Sequence, residues 1–312
     1  MAMNIGLLNC GGTITEAYRE DGTLDRLRAS DLAAFAPAVA WVTHDVEAVD
    51  SCELDFPALC RIRAVMRGDR DSDAFVLCCG TDAMEDVAFA ASLILDRDRP
   101  VVLTGAALPG GDAGSDGARN LADAAVLARA MPHGSAPLVA FAGRVFDPAF
   151  LVKVSPQALQ PFGPETAIRG TVEAGLVTLA GAALAADGYA DLAAADLEAR
   201  VAIVTETFGA LAGFPDLARL DGIVVAGQGA GGVSSATEAL LGEAARHVPV
   251  VLSTRCAQGF RINPEVAKHA FERARALGLT VAGYEGLNAS KARIRLVAEL
   301  GRARARSRPG PA

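Results

Sequence analysis

Lysine is nearly absent from this chain. Of its 29 Lys and Arg residues only Lys153, Lys268 and Lys291 are lysines. Elsewhere positive charge is carried by arginine, which does not surrender its proton in a protein. Aromatic residues are also sparse, at 5% of 312 residues. The four histidines, His44, His133, His247 and His269, are scattered with no H-x-x-x-H. The six cysteines, Cys10, Cys52, Cys60, Cys78, Cys79 and Cys256, contain no C-x-x-C pair. Metal-ligand spacing is therefore missing, and the thiols read as small core residues of a reducing compartment. No apolar run approaches the roughly 20 residues of a membrane span. Met1 to Leu8 lacks the basic flank of a secretory signal, so a cytoplasmic protein with no membrane partner is expected. A net charge of −8 argues against nucleic acid as partner. The Arg-rich end, Arg302 to Arg308, reads as a frayed solvated tail.

What is present is a 51% hydrophobic chain in which short apolar runs alternate with helical patterns. Strands are expected at Asn4 to Leu8, Trp41 to Val49, Ala74 to Cys78, Pro100 to Thr104 and Leu138 to Ala142. Short strands follow from Arg144 to Val154. Helices are expected at Leu54 to Arg67, Met84 to Leu95 and Ala118 to Ala130. Glu16 to Arg28 reads as a mobile loop, and Gly105 to Gly117 as a long glycine-rich one. The alternation implies an α/β fold of two domains. The larger N-terminal domain, residues 1–185, has a mainly parallel sheet flanked by helices. The chain turns Ala/Gly-rich from Thr178 to Arg200, and the linker is placed at 186–200. A smaller C-terminal α/β domain spans 201–312. It has strands at Val201 to Thr205, Ile223 to Ala226, Val248 to Ser253 and Thr280 to Gly283. Its helices run from Ala236, with Ser235 and Glu238 as capping box, from Asn263-Pro264-Glu265 to Leu277, and from Ser290 to Leu300.

Three strand-to-loop turns in the first half carry hydroxyls: Thr13 after Gly11-Gly12, Ser51, and Thr81 after Cys79-Gly80. Parallel strands would bring such turns to one edge, where α/β sheets bind ligands. Asp82 stands three residues before Glu85, the spacing of a helix cap with its box, and could equally face a cleft. Lys153, in the apolar stretch Phe150-Leu151-Val152-Lys153-Val154, reads either as a strand-edge lysine or as a base for a threonine hydroxyl. A different chemistry is suggested by Gly227-Gln228-Gly229-Ala230-Gly231-Gly232. It fits G-x-G-x-x-G between a strand and a helix, and so raises an NAD(P)-dependent alternative. The acidic residue expected about 20 positions later is replaced by Ser253-Thr254-Arg255.

Taken together, several stretches resemble the bacterial-type L-asparaginase/glutaminase family. Asn9-Cys10-Gly11-Gly12-Thr13-Ile14 is similar to its first-turn motif, usually T-G-G-T-I. Cys79-Gly80-Thr81-Asp82-Ala83-Met84-Glu85 is similar to its second, usually H-G-T-D-T-M-E. Pro100 to Ala106, Ser115-Asp116-Gly117, Asn120-Leu121, Gly222 to Gly227, Pro249-Val250-Val251 and Leu287 to Arg293 follow in the family's order. The resemblance implies hydrolysis of an amide through a threonine acyl-enzyme, with release of ammonia and no cofactor or metal. It implies Thr13 as nucleophile and Thr81, Asp82 and Lys153 as a second catalytic set. Ser51, Gly12, Gly80 and Cys79 then line the substrate, and Tyr18 is the candidate for the family's catalytic tyrosine. It further implies a homodimer or homotetramer acting on a small-molecule amide.

The motifs also depart from the family pattern. Cys10 replaces a threonine, Cys79 a histidine and Ala83 a threonine. Ala230 stands where the family's interface asparagine is expected, and Glu265 and Glu285 both remain candidates for its interface glutamate. The expectation is amide hydrolysis with altered substrate-holding groups, so that asparagine itself need not be the substrate. A non-catalytic amide-binding homologue is the remaining alternative.

Overall fold

The computed structural model describes residues 3–180, 188–209, 213–259 and 264–308. The chain divides into two compact units, Met1–Asp191 and Leu192–Ala312.

In the first unit, strands β1 (Ile5–Gly11), β2 (Glu16–Tyr18) and β3 (Leu24–Arg26) lead to helix α1 (Ala29–Ala33) and strand β4 (Trp41–Val49). Helix α2 (Phe56–Gly68), strand β5 (Ala74–Cys78), helix α3 (Met84–Ile94), strand β6 (Val101–Thr104), helix α4 (Gly117–Ala130) and strand β7 (Leu138–Phe141) follow. The unit closes with β8 (Arg144–Phe146), β9 (Val152–Lys153), β10 (Phe162–Gly163), β11 (Ile168–Glu173) and β12 (Leu176–Leu179).

Eight of these strands form one sheet, in the order β12-β11-β8-β7-β6-β5-β1-β4. The pairs β4/β1, β1/β5, β5/β6 and β6/β7 are parallel, whereas β7/β8, β8/β11 and β11/β12 are antiparallel. Numbered in chain order, the five parallel strands run 2-1-3-4-5. The chain reverses direction at the β1/β5 boundary, so a crevice is expected at the carboxyl ends of these two strands. Both sheet faces are covered. Ile5, Leu7, Val76 and Val102 pack with Leu121, Ala124 and Leu127 of α4. The alternate residues Leu8, Phe75, Leu77 and Leu103 are fully buried as well. Near-continuous apolar strands are what burial on both faces requires.

The structure corrects several expectations. The Glu16 to Arg28 segment is not an open loop, because β2 and β3 pair antiparallel from Glu16↔Arg26 to Tyr18↔Leu24. Tyr18 and Leu24 are exposed, so this hairpin leaves no apolar alternation to read. Helix α3 is not capped by Asp82. Its N-cap is Ala83, without a side-chain hydrogen bond. The sheet also gains the antiparallel strands β11 and β12, the last of which enters the Ala/Gly-rich stretch. Near the unit boundary, Tyr189 is buried and donates its N–H to the Leu93 carbonyl at 2.7 Å.

The second unit holds β13 (Val201–Thr205), β14 (Gly222–Gly227), helix α5 (Ser235–Ala244), β15 (Val250–Thr254), α6 (Lys268–Ala276) and α7 (Ala289–Ser307). Its three strands are parallel, in the order β13-β14-β15. Val204, Ile223, Val225, Leu241, Leu252 and Phe271 form its core. Helix α5 is capped one residue earlier than expected, by the Ser234 hydroxyl accepting the Thr237 N–H. Thr280 makes a single parallel bridge to Val251 and not a strand. Asn263 lies outside the described residues. The Arg-rich end is not frayed. Helix α7 is capped by Asn288 and runs through to Ser307. Arg304 pairs with Asp221 at 2.6 Å and Arg308 with Asp196 at 2.7 Å, so these two exposed arginines have acidic partners. Among the described residues no helix is long and apolar enough to cross a membrane.

Candidate active site

The carboxyl ends of β1 and β5 meet through their glycines. Gly11 and Gly12 adopt φ values of 85° and 82°, a region that favours glycine. A Cβ on Gly11 would lie 2.3 Å from the Val49 carbonyl oxygen, and one on Gly12 would lie 2.1 Å from the Gly80 nitrogen. The turn leading to Thr13 and the turn leading to Thr81 therefore touch backbone to backbone. Asn9 fixes the first of them: its side-chain oxygen accepts the Gly11 N–H, and its amide donates to Asp45 and to the Leu27 carbonyl. Beyond Thr13, a short 3-10 turn is closed by the Thr15 hydroxyl donating to the Gly12 carbonyl at 2.7 Å.

The second turn carries the reactive cluster. Lys153 reaches it from β9, and its Nζ lies 2.9 Å from Thr81 Oγ1 and 2.5 Å from Asp82 Oδ1. The Thr81 residue is 9% exposed. The lysine side chain is 14% exposed, whereas that of Asp82 is 84% exposed. The cluster thus has a sheltered hydroxyl–amine pair and an open carboxylate. Ser51 is buried against the same turn and its Oγ accepts the Ala83 N–H at 3.0 Å. This accounts for the Asp82 correction: the carboxylate is taken by a lysine 71 residues away, and the freed backbone is held by Ser51 instead.

The glycine-rich Gly105 to Gly117 segment lies against the first turn. Gly110 N–H donates to the Thr13 carbonyl at 3.1 Å, and Gly111 N–H to that of Glu16 at 2.9 Å. Asp116 organises the segment by accepting the N–H groups of Ala107 and Leu108 and the Asn120 amide. Asn120 is buried and also donates to the Gly105 carbonyl while accepting the Ala142 N–H. Sequence reasoning missed these roles, although both residues had been noted in the motif order. It also missed Glu85, whose carboxylate accepts the main-chain N–H of Lys153.

Other expected site residues fall differently. Among the described residues no hydrogen bond joins the Thr13 hydroxyl to Lys153, so the lysine's hydroxyl partner is Thr81. Tyr18 sits on the β2–β3 hairpin, 55% exposed, with no hydrogen bond from its hydroxyl among the described residues. Cys79 is fully buried, and burial pushes its thiol up to about 12. Cys10 and Cys78 are buried too, and their thiols are raised by burial and by neighbouring sulfurs. These three cysteines are therefore thiols, not thiolate nucleophiles, at neutral pH. No cluster of three or more His, Cys, Asp or Glu suited to a metal occurs among the described residues.

The Gly227 to Gly232 turn closes on itself. Gly231 and Gly232 donate their N–H groups to the Gln228 carbonyl, and Gln228 N–H donates to the Gly232 carbonyl. The Thr254 hydroxyl lies 2.6 Å from the Gly229 carbonyl. Helix α5 starts only at Ser235 and has its own cap. A phosphate cradle needs outward-facing N–H groups running into a helix N-terminus, and here the N–H groups of Gln228, Gly231 and Gly232 are engaged within the turn.

Comparison with known proteins agrees with this geometry. Residues 4–183 match the asparaginase N-terminal family model, and residues 200–308 the glutaminase/asparaginase C-terminal domain. A probable L-asparaginase of Deinococcus radiodurans is 35% identical over 196 residues, which cover 60% of this chain and 59% of that protein. An L-asparaginase of Thermococcus kodakarensis is 30% identical over 284 residues, 82% of this chain and 81% of that protein. The structure of the thermostable L-asparaginase from Thermococcus kodakarensis superposes with a TM-score of 0.79 at 26% identity, covering 96% of this chain and 93% of that one. A probable cytoplasmic L-asparaginase from Campylobacter jejuni shares the fold, with a TM-score of 0.78 at 24% identity over 96% and 95% of the two chains. With both halves matched in order, and the threonine turns meeting at the sheet's crossover point, the chain belongs to the asparaginase/glutaminase family.

Proposed function

We propose that this protein is an amidohydrolase that cleaves a side-chain or small-molecule amide through a threonine ester and releases ammonia. The observation that carries the reading is the contact of Lys153 Nζ with both Thr81 Oγ1, at 2.9 Å, and Asp82 Oδ1, at 2.5 Å. A threonine hydroxyl attacks a carbonyl only when a base removes its proton. Lysine can serve as that base, and this lysine is one of three in the chain.

In the proposed reaction a threonine oxygen adds to the amide carbon as its proton passes to the base. Peptide N–H groups of the two turns stabilise the oxyanion. The tetrahedral adduct collapses when the nitrogen accepts a proton and leaves as ammonia. Water, deprotonated by the same base, then hydrolyses the ester. Thr13 and Thr81 are the two candidate nucleophiles. The open Asp82 carboxylate suits a substrate amino group. The Ser51 hydroxyl, which accepts the Ala83 N–H, keeps its own proton for a substrate carboxylate. A homo-oligomer belongs to this proposal as well.

The test is ammonia release from asparagine, glutamine, their D-isomers, N-substituted amides and small cyclic amides. Wild type should turn over at least one of these, and Lys153→Met should be slower by about 10² to 10⁴-fold. Mass spectrometry of the acylated enzyme assigns the ester to Thr13 or Thr81. Turnover of no amide, or wild-type rates from both Thr13→Ala and Thr81→Ala, would overturn the reading. Tight amide binding without ammonia release would identify a non-catalytic homologue instead.

A further inference from the structure

We infer that Glu85 is the positioning residue of the site, holding Lys153 by its main chain while Thr81 and Asp82 hold it by its ammonium end. The inference rests on the amidohydrolase reading of Lys153.

Strand β9 lies outside the eight-stranded sheet and, among the described residues, pairs with β10 alone, as Lys153↔Phe162 and Val152↔Gly163. Successive residues of a strand point their N–H groups to opposite edges. Val154 N–H donates towards β10, to the Pro161 carbonyl at 2.8 Å. The Lys153 N–H accordingly faces the other edge, where no strand follows among the described residues. A half-buried N–H left without an acceptor is costly. Glu85 supplies the acceptor: its Oε2 takes the Lys153 N–H in place of the absent strand.

Glu85 stands in the first turn of α3, three residues after Asp82 and four after Thr81. A single turn therefore grips both ends of one lysine. The main-chain end is fixed by Glu85 and the Nζ end by Thr81 and Asp82. Neither grip is a hydrogen bond to a strand of the sheet. The far strand of the hairpin is anchored through Phe162, whose ring packs edge-on at 5.1 Å from Phe141. That anchor sets the depth of the hairpin, while Glu85 sets the reach of the lysine towards Thr81. Misplacing a catalytic group by about 1 Å can lower the rate by about 10²-fold, so the grip has kinetic weight.

The experiment compares Glu85→Ala with Glu85→Gln. Glutamine keeps an oxygen to accept the N–H and loses the charge, whereas alanine loses both. On any amide that wild type turns over, Glu85→Ala should lower kcat by about 10²-fold with little change in KM. Glu85→Gln should recover most of that loss. Hydrogen exchange at the Lys153 amide, followed by NMR, should speed up in Glu85→Ala and stay slow in Glu85→Gln, independently of turnover. Unchanged kcat and unchanged Lys153 exchange in Glu85→Ala would overturn the inference. An equal fall in both variants would do so too, because charge and not the held N–H would then matter. If Glu85→Ala does not fold, the Glu85→Gln exchange rate decides: fast exchange at Lys153 sinks the idea and slow exchange upholds it. A fully active Lys153→Met would instead bring down the underlying reading of the site, whatever Glu85 does.

Discussion

Gly12 and Gly80 pack backbone against backbone: a Cβ added to Gly12 would stand 2.1 Å from the Gly80 nitrogen and 2.3 Å from its Cα. The contact joins the threonine-bearing ends of two adjacent parallel strands. Gly12→Ala should therefore destabilise the fold by at least about 2 kcal/mol, since it meets both backbone and a positive φ. Gly80→Ala is milder, because its Cβ would lie 3.0 Å from the Ser51 hydroxyl and 3.3 Å from Gly12 Cα. About 1 kcal/mol is expected there. Urea unfolding of the two variants checks the order, and equal losses would contradict it.

Asp82 separates stability from activity. Its side chain is 84% exposed, so its ion pair with Lys153 contributes at most about 1 kcal/mol to folding. Asp82→Asn should keep the wild-type melting temperature within a few degrees. On any amide the wild type hydrolyses, kcat/KM should fall by about 10²-fold, because the charged group beside the reacting hydroxyl is gone. Thermal unfolding and ammonia release on the same preparation read both quantities.

Asp69 gives the fold an acid-sensitive contact away from the site. Burial alone would raise its pKa. The Ser72 hydroxyl, the His44 ring and the N–H groups of Asp71 and Ser72 outweigh burial and hold it at about 2, below the ordinary 3.8. A depressed carboxyl stabilises fully above its unfolded pKa, and that stabilisation fades as pH falls through the folded value. The contribution is about 2 kcal/mol, present above pH 5 and lost between about pH 4 and pH 2. The gap in unfolding free energy between wild type and Asp69→Asn should close over that window. A gap independent of pH would refute the assignment.

Five of the six cysteines, all but the half-buried Cys60, should separate clearly by reactivity. Cys52 and Cys256 are exposed, whereas Cys10, Cys78 and Cys79 are buried with thiols pushed up in pKa. Timed alkylation with iodoacetamide at neutral pH, read by peptide mass, should mark the first two in the native protein. The other three should react only after unfolding. Native labelling of Cys79 at the rate of Cys52 would show that the second turn opens.

Much of the parallel framework was legible in the sequence: the inner strands are near-continuous apolar runs, as Ala74 to Cys78 shows, and the half-buried edge strand Trp41 to Val49 is rich in valine and aromatic residues. Trp41 to Val49 and Ala74 to Cys78 fall where their patterns predict. Lys153 stood out by rarity, since a chain that otherwise uses arginine leaves its few lysines conspicuous. The misreadings share one cause. Asp82 fits a local capping rule, yet it bonds a residue 71 positions away, which no window of sequence contains. Tyr18 and Leu24 point outwards from three-residue strands, so the hairpin offered no apolar period. The terminal arginines are exposed, as their sequence suggests, but the helix that carries them and the pairing of Arg304 with Asp221 and Arg308 with Asp196 could not be read locally. Asn120 drew little notice because one polar residue in a helix carries no pattern, although it ties two loops together.

The second turn has a front and a back. Thr81, Asp82 and Glu85 meet Lys153, while Cys78 and Cys79 are sealed in the interior. The two sides meet different physical constraints: interior positions must match a packed volume, those around the lysine must present polar groups. A larger side chain at position 79, or at position 10 on the neighbouring strand, would therefore be felt first as overpacking of the core.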